Sequence, residues 1–195
     1  MEESLDKRLL GAGIRVGTHV KTKFMAPFIT AATPDGVYQF DLGVTQQRIA
    51  AASRFINGVG TGNVLVCSGR EFAYAPIEKF CELVGAQMKL NRFMPGTLTN
   101  PSLKYYIEPG LILVSDPQVD EQAVIEATNA GIPVIGISNS DNITSNLDLV
   151  IPANNKGRKS LAAVFWMLAR GILAERDQAM EYEIEDFETK NVDEG

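Results

Sequence analysis

From residue 63 onward the chain alternates short apolar runs with amphipathic helical stretches, a pattern that leaves few folds open. The apolar runs fall at 64–67, 88–90, 111–114, 134–137 and 147–151. They are too short for helices and most lack a polar face, so they predict strands buried on both sides. Helical stretches at 71–84, 119–129 and 160–175 separate or follow them, and the last repeats Leu161, Val164, Phe165, Leu168 and Ile172 at helical spacing. This alternation requires a mainly parallel sheet with helices on both faces, an α/β fold of three layers, α/β/α. A chain of 195 residues supplies one such core. The expected organisation is a single domain over 1–175 and an acidic tail over 176–195.

Ahead of the regular region the pattern is looser. A short helix is expected at 5–10, then a basic arm through residue 27 with Arg15, His19, Lys21 and Lys23. Segments 28–32 and 37–42 flank Thr33-Pro34-Asp35-Gly36, a proline-led turn that predicts a hairpin, and a helix is expected over 45–56.

A parallel sheet has a functional consequence, because every loop that follows a strand emerges at the same edge. Residues 68–70, 91–109, 116–117, 138–142 and 154–160 are therefore expected to share one rim. The last of these reads Asn154-Asn155-Lys156-Gly157-Arg158-Lys159-Ser160 and places three cations at the start of an apolar helix. A helix N-terminus already carries the positive end of the macrodipole and unpaired N–H groups, so stability alone would favour acids there. An anion facing Lys156, Arg158 and Lys159 resolves that conflict. A solvated basic loop is the competing explanation.

Net charge does not oppose this reading. The chain carries −6, but residues 175–195 hold nine acids against Arg176 and Lys190, so residues 1–174 carry +1. Basic clusters on the body can then dominate locally. Within the long 91–109 loop, Arg92 and Phe93 offer a guanidinium and an aromatic face suited to unpaired bases, while Thr97, Thr99 and Asn100 offer neutral hydrogen-bonding groups. Phe93 and Leu98 could instead plug the loop onto the core. Lys21 and Lys23, beside threonine hydroxyls, fit phosphate contacts.

Catalytic patterns fail on context. His19 is the only histidine and no Gly-x-Ser-x-Gly elbow is present. The glycine-rich 58–62 stretch precedes a strand instead of opening a helix after one. Cys67 and Cys81 lack metal-site spacing and read as buried reduced thiols, so no catalytic residue, metal or cofactor is expected. The opening residues lack the apolar core of a signal peptide and no run reaches a membrane span, which suggests a cytoplasmic protein without membrane contact.

Several blocks together resemble a known family. They are 17–25 (Gly-Thr-His-Val-Lys-Thr-Lys-Phe-Met), Tyr38-x-Phe40-Asp41-Leu42, 68–73 (Ser-Gly-Arg-Glu-Phe-Ala), 92–101 (Arg-Phe-Met-Pro-Gly-Thr-Leu-Thr-Asn-Pro), 131–134, Ser140-Asp141-Asn142, and 150–160. In that order, across about 9–174, they resemble the second protein of the small ribosomal subunit in its archaeal and eukaryotic branch. The resemblance implies a flavodoxin-like (Rossmann-like) sheet with the N-terminal arm and hairpin appended. It also implies a structural, non-enzymatic role, with small-subunit rRNA and other small-subunit ribosomal proteins as partners and no small-molecule substrate. With RNA as the partner, residue type and position give an expected RNA-binding set of Lys21, Lys23, Arg70, Arg92, Phe93, Thr97, Thr99, Asn100, Asn154, Asn155, Lys156, Arg158 and Lys159, with Asn154 and Asn155 capping the helix or bonding ribose. The chain departs from the family's pattern at Ser138-Asn139-Ser140, where a cysteine-containing version is expected, and it lacks the helical hairpin of the bacterial branch. A phosphosugar-binding or isomerase domain is the alternative, because 132–138 and the polar loop after it look like those of such domains and the same rim could hold a small phosphate.

Overall fold

Five short strands form one parallel sheet: β3 (Val64–Ser68), β4 (Gln87–Leu90), β5 (Leu111–Val114), β6 (Val134–Ser138) and β7 (Leu149–Pro152). The computed structural model describes residues 2–189; the last six residues of the expected acidic tail lie outside them. Strand order is β4-β3-β5-β6-β7, with Val64 opposite Leu111 and Ile137 opposite Ile151 in register. That is the flavodoxin-like arrangement, in which the order reverses between β3 and β5. A separate two-stranded ribbon pairs β1 (Ile29–Ala32) with β2 (Tyr38–Phe40) antiparallel, as the proline-led turn predicts.

The two faces of the sheet are covered differently. Helices α2 (Leu42–Val59), α3 (Tyr74–Val84) and α5 (Arg158–Ala174) pack on one face, where Ile56, Phe80, Phe165 and Leu168 meet Val66, Leu113 and Ile137. The first helix, α1 (Glu2–Gly11), adds Leu9 to the same core. On the other face the helix is α4 (Glu121–Ala130), which buries Ala123, Val124 and Ala127 against Leu65, Ile112 and Val134. Beside it lies the 91–110 loop, which contributes Phe93, Leu98 and Ile107. A loop without regular structure thus does the work of a crossover helix, which accounts for its length.

Local chemistry sets the element ends. Asp41 Oδ1 accepts from the Gly43 and Val44 N–H groups at 2.8 and 3.3 Å, which starts α2 three residues earlier than periodicity suggests. Residues 71–73 form a 3-10 turn ahead of α3, so Pro76 falls in the first turn of the α-helix, where no N–H is needed. Gly17 lies against the ribbon and the 138–142 loop. A β-carbon there would stand 2.8 Å from the Tyr38 carbonyl oxygen and 3.0 Å from Ser140 Oγ, so only glycine permits this approach.

Residues 176–189 continue along the helical face. Ile184 and Phe187, in a 3-10 turn, are buried beside α3 and α5, and the Trp166 indole N–H donates to the Tyr182 carbonyl at 2.7 Å. Arg8 pairs with Glu183 and Glu185 at 2.6 and 3.0 Å. Among the described residues, no helix is long and apolar enough to cross a membrane.

Candidate nucleic-acid interface

The C-terminal edge of the sheet gathers the loops that the parallel arrangement predicts. At its β7 end, Asn154 Oδ1 accepts from the Lys156 and Gly157 N–H groups at 3.0 and 3.1 Å, and its Nδ2 donates to the Gly13 carbonyl at 3.3 Å. Asn154 therefore shapes the turn ahead of α5, whose N-cap is Gly157 with no side-chain cap bond. Asn155 turns inward. It is fully buried, and its Nδ2 donates to the Ile137 carbonyl and to Asn142 Oδ1 at 3.1 and 3.0 Å. The surface is left to Lys156 and Lys159, both exposed, and to the half-buried Arg158. Lys156 Nζ is paired with Asp141 Oδ2.

The basic arm is fixed to the same corner. Thr22 N–H donates to the Ser140 carbonyl at 2.9 Å, Thr22 Oγ1 donates to the Asn142 carbonyl at 2.8 Å, and Thr18 N–H donates to Ser140 Oγ at 2.8 Å. These bonds seat Lys21 and Lys23 beside the 138–142 loop and hence beside Lys156. Both lysines are exposed, and Lys21 Nζ lies 5.0 Å from the centroid of the Tyr38 ring. Arg92 is exposed at the end of β4, on the opposite side of the sheet. Four strand spacings separate β4 from β7, about 19 Å along the rim.

Three chains of similar length and sequence identify this rim's owner. "Small ribosomal subunit protein uS2" of Nitrosopumilus maritimus is 63% identical, with 97% of this chain and 94% of the relative covered. The protein of that name from Cenarchaeum symbiosum is 57% identical over 98% of this chain and 94% of its own length. That of Thermofilum pendens is 51% identical over 84% and 77%. A model of the family "Ribosomal protein S2" matches residues 102–174. The chain belongs to the uS2 family.

Membership in uS2, a family of ribosomal proteins and not of enzymes, displaces the phosphosugar alternative. The residues of the expected RNA-binding set are not all presented to solvent in this uS2 chain. Arg70 is half-buried and already committed to the protein: its Nε donates to Asp116 Oδ2 at 2.8 Å, a second guanidinium N–H reaches the same oxygen, and Asp116 is 0% exposed. Phe93 is 6% exposed and its ring belongs to the second core, so it plugs the loop and presents no stacking face. Thr97 is buried, with Oγ1 donating to the Met94 carbonyl at 2.6 Å. Thr99 and Asn100 are exposed, though Asn100 Oδ1 accepts from the Ser102 N–H at 3.1 Å.

Sequence reasoning missed the groups that hold this edge rigid. Glu126 on α4 accepts from the Gly96 and Leu98 N–H groups at 2.7 and 3.0 Å and from Gln122 Nε2 at 2.8 Å. Burial opposes its ionisation, yet these donors outweigh burial and hold its carboxyl below the usual range. Asp116 Oδ1 accepts from the Gln118 N–H and from Asn142 Nδ2 at 2.9 and 3.2 Å, and Ser68 Oγ lies 2.6 Å from Ser115 Oγ. Asp120 Oδ1 accepts from the Gly69 N–H at 2.7 Å, while its Oδ2 is buried without a partner, and burial pushes this carboxyl up to about 6. Burial also pushes the Cys67 thiol well up and the Cys81 thiol up to about 12, which leaves both unreactive. No cluster able to hold a metal ion occurs among the described residues.

Proposed function

We propose that this chain is a structural constituent of the cytoplasmic small ribosomal subunit. It binds small-subunit rRNA through the cations of its sheet edge and neighbouring ribosomal proteins through its other surfaces. The observation that carries the RNA assignment is the convergence of two distant segments on one corner. Lys21 and Lys23 are bonded through Thr22 to the 138–142 loop, and Lys156 reaches the same loop through Asp141. Lys159 and Arg158 extend this cationic corner along the first turn of α5, where the helix dipole has the same sign. Arg92, Thr99 and Asn100 lengthen the footprint toward β4. Phosphate contacts at such a corner fix position and register without reading sequence. Arg70, Phe93, Thr97, Asn154 and Asn155 serve the same interface from beneath, by shaping the loops that carry the exposed groups.

Salt dependence tests the assignment. The logarithm of rRNA affinity falls linearly with the logarithm of salt concentration, at about 0.9 per phosphate neutralised on duplex regions. Replacing Lys156, Arg158 and Lys159 together by Gln should reduce that slope by about two units. Three full contacts would account for about 2.7 units, and Lys156 already spends part of its charge on Asp141. A triple variant with the parent slope, measured on full-length small-subunit rRNA, refutes the placement of phosphates at the start of α5.

A further inference from the structure

The thinly covered face of the sheet carries a second surface of opposite character. A parallel connection ordinarily includes a helix, but β6 joins β7 through residues 139–148 without one. Helix α4 therefore has an open flank on that side. Along it runs a groove of about 340 Å³ lined by Pro117, Val124, Ile125, Ile143 and Leu147, among others. It continues past Leu147 into a second depression of about 350 Å³ that reaches Ile132, Pro133 and Asp148. Glu121, Ile125 and Thr128 follow one another along α4 at helical spacing and edge the trough, whose length is that of the helix, about 15 Å.

Exposure and charge define what fits. Ile125 is 40% exposed and Ile143 is 65% exposed, within one trough and not as scattered surface residues. Among the described residues the charged groups lining the two depressions are Glu121, Asp148 and Asp141, the last already paired with Lys156, and neither depression is lined by a lysine or arginine. An acidic, apolar trough repels RNA and a second copy of itself, and it attracts an apolar segment that carries cations. We propose that this trough docks an apolar, lysine- or arginine-bearing segment of a neighbouring ribosomal protein, which completes the second layer where α4 lacks a neighbour. The proposal rests on the ribosomal role above and adds to it the face used and the chemistry of the partner. RNA and protein would then bind different parts of the surface, the cationic corner and the acidic trough, with Asp141 contributing to both through its pair with Lys156.

The test reads solvent access inside native particles. Ile125→Cys and Ile143→Cys place a thiol in the trough, while Cys67 and Cys81 are buried and give little background. Each variant is labelled with a maleimide as the free chain and in small subunits isolated from cells that carry it. Labelling in subunits should be at least about tenfold slower at both positions, as in the water-excluding centre of an interface. A photoreactive maleimide on Gln118→Cys, at the lip, should cross-link to a protein segment with a basic residue beside apolar ones. Labelling at the free-chain rate, or cross-links to rRNA or to a second copy of the chain, overturns the proposal. A chain that cosediments with subunits yet stays reactive at both positions refutes the docking alone. A chain that never cosediments refutes the ribosomal role with it.

Discussion

Replacing Arg70 by Met should damage stability far more than RNA binding. Asp116 is fully buried and relies on four donors: two guanidinium N–H groups of Arg70 on Oδ2, and the Gln118 N–H and Asn142 Nδ2 on Oδ1. Methionine keeps an aliphatic stem in place and removes both bonds to Oδ2. The carboxylate is then left buried with its charge uncompensated, a loss of about 3–5 kcal/mol. A domain has about 5–15 kcal/mol in total. At about 2–4 °C per kcal/mol for a chain of this size, the unfolding midpoint should fall by roughly 6–20 °C. Urea unfolding followed by circular dichroism, on the parent, Arg70→Met, Asp116→Asn and the double variant, gives the coupling between the two side chains directly. The double variant should recover part of the loss, because the buried charge is gone. The same proteins should keep the parent salt slope with rRNA. A variant with the parent midpoint and a slope lowered by about one unit refutes the reasoning, since Arg70 would then be spending its charge on phosphate.

Two further outcomes follow from the buried groups. Asp120 is raised to about 6 in the folded chain from an ordinary 3.8. A carboxyl raised on folding holds protons that the unfolded chain has released, so its contribution is lost as pH climbs between those two values, at a cost of about 3 kcal/mol above that window. Asp120→Asn keeps an oxygen for the Gly69 N–H, so it should raise the urea midpoint at pH 8 and flatten the decline from pH 4 to 6; an unchanged pH profile refutes this. Phe187→Ala should cost about 3–5 kcal/mol, because the ring is fully buried against the helical face, and a midpoint equal to the parent's refutes the docking of that segment.

The parallel sheet was legible because each strand announces itself locally. Residues 111–114 form a strand with the bounds that the apolar run predicts, and the start of α5 differs by two residues, since Asn154 closes a turn that lets Arg158 enter the helix. Side-chain assignments at the edge were less legible, because they depend on which distant residue arrives opposite. Arg70 and Asp116 are brought together by the register of β3 against β5, and nothing in either loop alone indicates that pairing. Phe93 and Thr97 face inward because α4 presents Glu126 to the 96–98 backbone. The acidic segment concealed its anchors in the same way. Ile184 and Phe187 are three apart among seven of the nine acids, too sparse for a periodicity argument, yet one 3-10 turn places both against the core.

The reversal of strand order favours the proposed polyanion over a metabolite as the partner of this edge. In flavodoxin-like sheets the crevice at the reversal, here between β3 and β5, is where small ligands bind. In this chain the ends of those two strands are occupied by the protein's own groups: Ser68 against Ser115, and Arg70 against Asp116, with Asn142 bonded to the latter. A guanidinium and a carboxylate that satisfy each other leave little free charge or donor capacity to select a phosphate at that point. The exposed cations of the expected set lie to either side, Arg92 beyond β4 and Lys21, Lys23, Lys156 and Lys159 around β7. Arg92 and the corner at β7 stand about 19 Å apart and cannot both hold one small molecule, but each can meet a phosphate of a folded RNA. Closing the crevice therefore also removes the geometry an isomerase would need, and the network that does so, running from Arg70 through Asp116 and Asn142 to Asn155, ties the centre of the edge to the β7 corner.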